Sequence, residues 1–319
     1  MTLSQWVGTC LLLTAALTTG FVTEESSGSH QLQRIPYVSE VNGEARHYFV
    51  YLPEGYAEKP DYDWPVMLFL HGHGERGNGN DELDNVLRHG PLREAWIQRR
   101  SLTFIIISPQ LPVQFGIPEV DDGPADATIL HRLEEGTPPR NHGFKSDVPI
   151  QRGGSADFVA GNYQMFEPYP VPGKIPPGWI SIESDLLMIV DNVLETRRAD
   201  PLRVYLTGIS YGGFGTFDLA ARHPERWAAI APIVGTGKLS DASVIADAQL
   251  PVWMFGGGKD TQIKPHWLYE MAAAMEAAGH PALRFTIHED MDHDAWKRVY
   301  AGEDLYNWLL GYTLGSRPD

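Results

Sequence analysis

The sequence predicts an α/β protein: a mostly parallel sheet with helices on both faces. Three observations predict it. Short apolar runs rich in β-branched and aromatic residues alternate with longer helix-forming segments, the order expected of parallel strands joined by helical crossovers. Two of those runs, residues 66–70 and 104–108, are continuously apolar up to their last residue, as in strands buried on both faces. A third run, starting at Val204, ends in the small-residue join Gly208-Ile209-Ser210-Tyr211-Gly212 and is followed by a helix-forming stretch.

Taken in order, residues 35–41 and 46–52 alternate around Asn42-Gly43, which predicts an antiparallel hairpin at a sheet edge. Residues 66–70 form the next strand and run into the glycine-rich loop His71-Gly72-His73-Gly74-Glu75-Arg76-Gly77. Asn80-Asp81 can cap a helix from about Glu82 to Arg99, interrupted near Gly90-Pro91. Residues 104–108 are a strand, 182–198 a helix, and the strand into Ser210 follows. Residues 227–233 and 251–255 are short strands, and 265–278 is a helix stopped by Gly279. Residues 283–288 are the last strand and 294–310 the last helix.

One interval breaks this rhythm. Between Gln110 and Gly178 no strand or helix is legible, and prolines cluster, as at Pro138-Pro139 and Pro176-Pro177. Structureless runs of this length are uncommon in compact domains. Its aromatic residues, among them Phe144, Phe158, Tyr163 and Tyr169, argue against full disorder. Residues 111–178 therefore read as a cap or rim leaving the carboxyl edge of the sheet, where ligands bind in open α/β folds.

The chain has 319 residues, which suits one large α/β domain, here residues 35–315. A net charge of -16 argues against nucleic acid or an anionic membrane as partner. The single cysteine, Cys10, lies in an amino-terminal apolar run, so a chain without that run has no thiol for disulfides, metal sites or nucleophilic chemistry. Residues 1–22 read as a signal peptide, too short for a good membrane span, although no Lys or Arg precedes the apolar core. A secreted or periplasmic protein with no stable membrane insertion after signal removal is expected, with residues 23–34 as a flexible leader.

Ser210 sits where a strand turns sharply into a helix, between Gly208 and Gly212. The glycines allow neighbouring chain to pass close by, and the serine oxygen is exposed at the sheet edge. A serine nucleophile needs a base, and the base an orienting acid. Asp260 follows the strand 251–255 on the loop Gly256-Gly257-Gly258-Lys259, the place for that acid; Asp241 and Asp247 lie upstream and away from a strand end. His293 lies on the loop before the last helix and suits the base. His288, at a strand end, reads as structural. Asp290, Asp292 and Asp294 flank His293 as potential competitors for its ring, and Asp294 can also cap the last helix. The oxyanion hole requires two backbone N–H groups. Tyr211 offers one and His73, next to Gly72, the other. Glu75 and Arg76 read as a local ion pair shaping this loop. The pair His71/His73 lacks a third ligand at recognisable spacing, so no metal and no cofactor is expected.

Together, Leu70-His71-Gly72-His73-Gly74-Glu75, Leu206-Thr207-Gly208-Ile209-Ser210-Tyr211-Gly212-Gly213, Gly257-Gly258-Lys259-Asp260 and His293-Asp294-Ala295-Trp296 resemble the α/β-hydrolase superfamily. Within it, the chain is similar to secreted esterases related to polyhydroxybutyrate depolymerases, feruloyl esterases and the phospholipase/carboxylesterase group, and to the prolyl oligopeptidase catalytic domain. Arg222-His223-Pro224-Glu225-Arg226 and Tyr306-Asn307-Trp308-Leu309-Leu310 fit that group too. The resemblance implies an α/β-hydrolase fold with Ser210 as nucleophile, Asp260 as orienting acid and His293 as base. It implies an ester substrate, small or polymeric. The insertion and Asp292, which stands where a glycine commonly precedes the histidine, depart from the group's pattern. A peptidase of the prolyl oligopeptidase type ranks lower, because the chain leaves no room for an amino-terminal propeller. A non-catalytic ligand-binding protein on the same scaffold is the reading from another class.

Overall fold

The computed structural model describes residues 31–113 and 178–316. Its strands are β1 (Gln31–Val38), β2 (Ala45–Leu52), β3 (Trp64–Leu70), β4 (Ile105–Ser108), β5 (Ala199–Ile209), β6 (Ala229–Ile233), β7 (Val252–Gly257) and β8 (Leu283–His288). They form one 8-stranded sheet in the order β1-β2-β4-β3-β5-β6-β7-β8. β1 pairs antiparallel with β2, and β2 antiparallel with β4. All later neighbours are parallel. The chain steps from β3 outward to β4, then returns past β3 to β5. The order therefore reverses between β3 and β5, and the crevice at such a switch point is where α/β sheets hold ligands.

The expected hairpin is present, with two changes. Pairing starts at Gln31↔Leu52, so residues 31–34, assigned above to the flexible leader, belong to the sheet. The connection is also wider than a two-residue turn. Gly43 N–H bonds Ser39 O at 2.8 Å, and Ser39 N–H bonds Glu44 O at 2.9 Å. Asp185 of α2 (Glu183–Thr196) draws this tip down: its buried carboxylate accepts Ser39 Oγ at 2.6 Å and Glu40 N–H at 2.7 Å.

Burial explains the strand sequences. Every residue of β3 is buried, as its continuous apolar run predicts. Alternate residues feed two cores. Val66, Leu68 and Leu70 of β3, with Val204 and Leu206 of β5, pack beneath α2, α3 (Tyr211–Arg222), α4 (Asp241–Asp247) and α5 (Pro265–Ala277) through Ile189, Phe217, Ile245 and Met271. Met67, Phe69 and Tyr205 face the opposite side, against Val86, Leu92, Val299, Tyr300 and Leu305. That second layer holds two departures from the expected helices. The segment 82–99 is a 3₁₀ turn (Leu83–Leu87), a single turn α1 (Gly90–Leu92) and a π-type turn (Arg93–Ile97). Gly90 breaks it with φ of 81°, and a Cβ there would lie 2.2 Å from the Phe69 ring. The segment 294–310 is two helices, α6 (Trp296–Ala301) and α7 (Asp304–Leu309). Arg100 parts them by donating to the carbonyls of Tyr300 at 2.6 Å and Gly302 at 3.2 Å, which satisfies acceptors that a continuous helix would use internally.

Among the described residues no helix is long and apolar enough to cross a membrane. The expected signal peptide, the leader up to residue 30, and residues 114–177 of the expected cap lie outside the described residues.

Candidate active site

β5 ends at Ile209 and α3 begins at Tyr211, so Ser210 is the hinge between them. Its φ of 50° and ψ of -111° are strained for a residue with a side chain. Such a conformation costs on the order of 1–3 kcal/mol and persists only where its surroundings enforce it. They do so through Ser210 N–H to Ile233 O at 2.9 Å and Phe214 N–H to Ser210 O at 3.1 Å. The flanking glycines are required by contact. A Cβ on Gly212 would lie 1.8 Å from Leu70 O, and one on Gly208 would lie 2.3 Å from Gly212 O. The elbow is thereby pressed against the end of β3. Gly72 is under less constraint, since a Cβ there would meet the flexible end of Glu75 at 3.0 Å.

Ser210, His293 and Asp260 meet, although they come from three separate strand ends. His293 Nε2 lies 2.9 Å from Ser210 Oγ, and its Nδ1 lies 2.7 Å from Asp260 Oδ2. A carboxylate only accepts, so Nδ1 carries the proton toward Asp260 and Nε2 faces the serine hydroxyl as acceptor. Asp260 is fully enclosed at its side chain. Its other oxygen accepts N–H bonds from Gln262 and Ile263, each at 2.8 Å. These bonds hold the carboxylate in place independently of the imidazole.

The three neighbouring acids do not take the ring. Asp290 forms a two-pronged pair with Arg298 at 2.7 and 2.8 Å. Asp292 Oδ1 accepts the backbone N–H of His293 at 2.8 Å, so the residue standing in the place of a glycine braces the loop. Asp294 pairs with Lys297 at 3.0 Å. The cap expected from Asp294 is absent: the residue before α6 is Ala295, with no side-chain cap bond. His288 stands apart at the end of β8, its ring parallel to Phe255 at 6.4 Å.

The loop after β3 forms the other wall. His73 opens a 3₁₀ turn (His73–Glu75), and its ring meets the Tyr211 ring edge to face at 5.3 Å. The two residues expected to supply oxyanion donors are thus side by side. The expected Glu75–Arg76 ion pair is not formed. At three residues per turn, consecutive side chains of a 3₁₀ turn diverge. Glu75 faces His89 at 3.5 Å and His71 at 3.8 Å. Arg76 donates from Nε to His73 O at 3.0 Å, and its Nη2 lies 3.4 Å from His73 Nδ1.

Two supports escape sequence reasoning. His71 is wholly buried, and burial pushes its pKa down to about 3. Its Nδ1–H donates to Gly72 O at 2.6 Å, and its Nε2 accepts Leu111 N–H at 2.9 Å. Trp179 Nε1–H also donates to His71 O at 3.2 Å. The chain on either side of residues 114–177 is therefore fastened to one neutral histidine. The second support is Trp296, whose ring stands edge to face with His293 at 5.3 Å and also meets His89 at 5.3 Å. The motif His293-Asp294-Ala295-Trp296 contains it, but nothing in that motif shows the ring contact with His293 or the reach to His89. Among the described residues no group of three His, Cys, Asp or Glu side chains is placed to hold a metal ion.

Residues 179–302 match the model of the Dienelactone hydrolase family. Over 94 residues the chain is 37% identical to poly(3-hydroxyalkanoate) depolymerase C of Paucimonas lemoignei, covering 30% of this chain and 21% of that protein. Among solved structures, a thermostable esterase superposes with a TM-score of 0.57 at 19% identity, over 88% of this chain and 63% of that one. A mutant of the feruloyl esterase module from Clostridium thermocellum, complexed with sinapinate, gives 0.54 at 15% identity, over 90% and 89%. The chain spans less than half the length of the curated relatives it matches. It has the α/β-hydrolase fold, and its residues 179–302, which carry Ser210, Asp260 and His293, match the Dienelactone hydrolase family.

Proposed function

We propose that the protein is a serine hydrolase that cleaves carboxylic esters through an acyl-enzyme intermediate. The observation that carries this reading is the hydrogen-bonded chain from Ser210 Oγ to His293 (2.9 Å) to Asp260 (2.7 Å), built on a strained elbow. His293 takes the proton of Ser210 as its oxygen attacks the ester carbonyl. The tetrahedral intermediate collapses, and His293 returns the proton to the leaving alcohol. Water then repeats the sequence on the acyl-enzyme and releases the acid. Asp260 holds His293 in the required tautomer and stabilises the imidazolium. The backbone N–H groups of Tyr211 and His73 receive the oxyanion; losing one such donor typically costs about 3–4 kcal/mol of barrier. These steps use the side chains of Ser210, His293 and Asp260, two backbone N–H groups and water.

The named relatives support esters as the substrate class: a polyhydroxyalkanoate depolymerase, an esterase and a feruloyl esterase module. The reading includes export of a mature chain whose catalytic domain begins at β1 and whose residues 111–178 rim the site. Its substrates are small or polymeric extracellular esters. Purified protein should release p-nitrophenol from short-chain acyl esters. Ser210→Ala should lower that rate by at least about 10³-fold. A Ser210→Ala protein with wild-type turnover would reject the assignment.

A further inference from the structure

His293 is carried by the loop between β8 and α6, and two hydrogen bonds reach its ring, one at each nitrogen. The bond to Asp260 can last through a reaction, but the bond to Ser210 cannot. It needs the serine proton, because Nε2 of the tautomer held by Asp260 only accepts. Once Ser210 Oγ is esterified it has no proton to give. Neither atom is then a donor, and one of the two hydrogen bonds on the ring is gone. A contact that does not depend on the state of Ser210 then decides where the ring stays.

Trp296 supplies such a contact. Its ring stands edge to face with His293, at 5.3 Å and 88°. The indole opens α6, and α6 is fastened to the strand that carries the nucleophile. The Tyr300 hydroxyl lies 2.9 Å from Oγ1 of Thr207, which belongs to β5 just ahead of Ser210. Tyr300 is buried, its ring meets Phe69 at 5.7 Å, and its carbonyl accepts Arg100 at 2.6 Å. On its other side the indole meets His89 at 5.3 Å. Burial pushes the His89 pKa down to about 3, so that ring stays neutral and brings no second charge to the indole. The indole Nε1–H is shielded from solvent and without a hydrogen-bond partner. Buried indole N–H groups ordinarily find one, and an orphan donor costs stability. Trp296 therefore serves the site through its ring, not through a hydrogen bond.

We propose that Trp296 is a positioning residue that keeps the His293 imidazole in place in the acyl-enzyme, and so acts chiefly on deacylation. This rests on the ester-hydrolase reading of Ser210. In deacylation a water oxygen bonds to the acyl carbon while His293 Nε2 takes the water proton. The tetrahedral intermediate then expels Ser210 Oγ, which receives that proton, and the acid is released. During this step Asp260 and Trp296 hold the ring. Acylation, by contrast, starts with the Ser210 hydrogen bond already in place.

Stopped-flow turnover of p-nitrophenyl butyrate tests it, since kcat/KM reports acylation and the slow phase after a burst reports deacylation. Trp296→Leu should lower kcat at least about tenfold while kcat/KM falls by no more than about threefold, so that KM falls too. Trp296→Phe, which keeps a ring, should stay within about threefold of the wild-type kcat. Equal falls of kcat and kcat/KM in Trp296→Leu overturn the proposal while leaving ester hydrolysis intact. So does an unchanged kcat, or a Trp296→Phe protein as slow as Trp296→Leu. A second measurement needs no turnover, because Ser210→Ala removes the same hydrogen bond from the resting protein. The Nδ1 proton shared with Asp260 is read as a low-field proton resonance, identified by its absence from His293→Ala. It should persist in Ser210→Ala and be broadened or lost when Ser210→Ala is combined with Trp296→Leu. Its absence from Ser210→Ala, or equal signals in the two proteins, overturns the positioning role. If no ester is turned over, the hydrolase reading fails and this resonance alone decides the positioning. If Trp296→Leu does not fold, Trp296→Met is read by the same criteria. Failure of both to fold assigns the indole to the core and overturns the proposal.

Discussion

At the scale of single residues, the site separates charge from proton. Asp260 is enclosed and accepts two backbone N–H bonds besides the His293 ring, an arrangement suited to the proposed role of orienting the ring without taking its proton. Asp260→Asn should keep the fold and lose the tautomer: kcat on a p-nitrophenyl ester should fall by about 10⁴-fold with little change in melting temperature. A fall of less than about tenfold would show that the base is oriented by another group. Ser210 is held at positive φ because the backbone of α3 is pressed on the end of β3 at Gly212. Gly212→Ala places a methyl 1.8 Å from Leu70 O. It should therefore cost at least about 1–3 kcal/mol of stability in urea unfolding, and disturb the elbow with it.

At the scale of elements, the hairpin β1–β2 is tied to the helix layer by one buried acid. Asp185 lies in the first turn of α2, where a negative charge is favoured, and receives Ser39 and Glu40 from the hairpin tip. Asp185→Ala leaves these donors unpaired and should cost about 2–4 kcal/mol, seen as a lower urea midpoint at unchanged slope. An unaffected midpoint would mean that the sheet alone holds the hairpin. This contact also marks the limit of what the sequence reveals. Ser210, Asp260 and His293 were legible because each follows a strand end within a short local motif. The role of His71 was not, although its motif was plain. Its partners Leu111 and Trp179 are 40 and 108 residues away, so only the folded sheet brings them together. Helix existence was legible, but helix continuity was not. The breaks at Gly90 and Gly302 depend on the Phe69 ring and on Arg100, which are remote in sequence. The insertion of β4 between β2 and β3 is likewise a property of packing, carrying no local signal.

At the scale of the whole molecule, neutral buried histidines join distant segments and make stability depend on pH. His71 joins the loop after β3 to Leu111, and burial pushes its pKa down to about 3. His280 is lowered too, chiefly by burial; its ring bonds Leu250 O at 2.8 Å and accepts Ala282 N–H at 3.1 Å. Each folded value lies below the unfolded value of about 6.5, so below that pH the unfolded chain binds more protons. Their contribution is complete above about pH 6.5 and is lost as pH falls toward the folded values. His71, with a folded value of about 3, should add up to about 1.4 kcal/mol per pH unit to the slope in that window, and His280 adds to it in the same direction. Urea unfolding at pH 7, 6 and 5 should show this slope, and His280→Gln should flatten it. An unchanged slope in that variant would place the titrating group elsewhere.

The central claim is that this fold activates Ser210 as a nucleophile. Its most direct measurement is covalent labelling with a fluorophosphonate, followed by mass spectrometry of the digested protein. The account predicts one adduct per chain on the peptide containing Ser210, lost in Ser210→Ala and strongly slowed in His293→Ala. Folded wild-type protein that takes no label, or takes it at another serine, would contradict it.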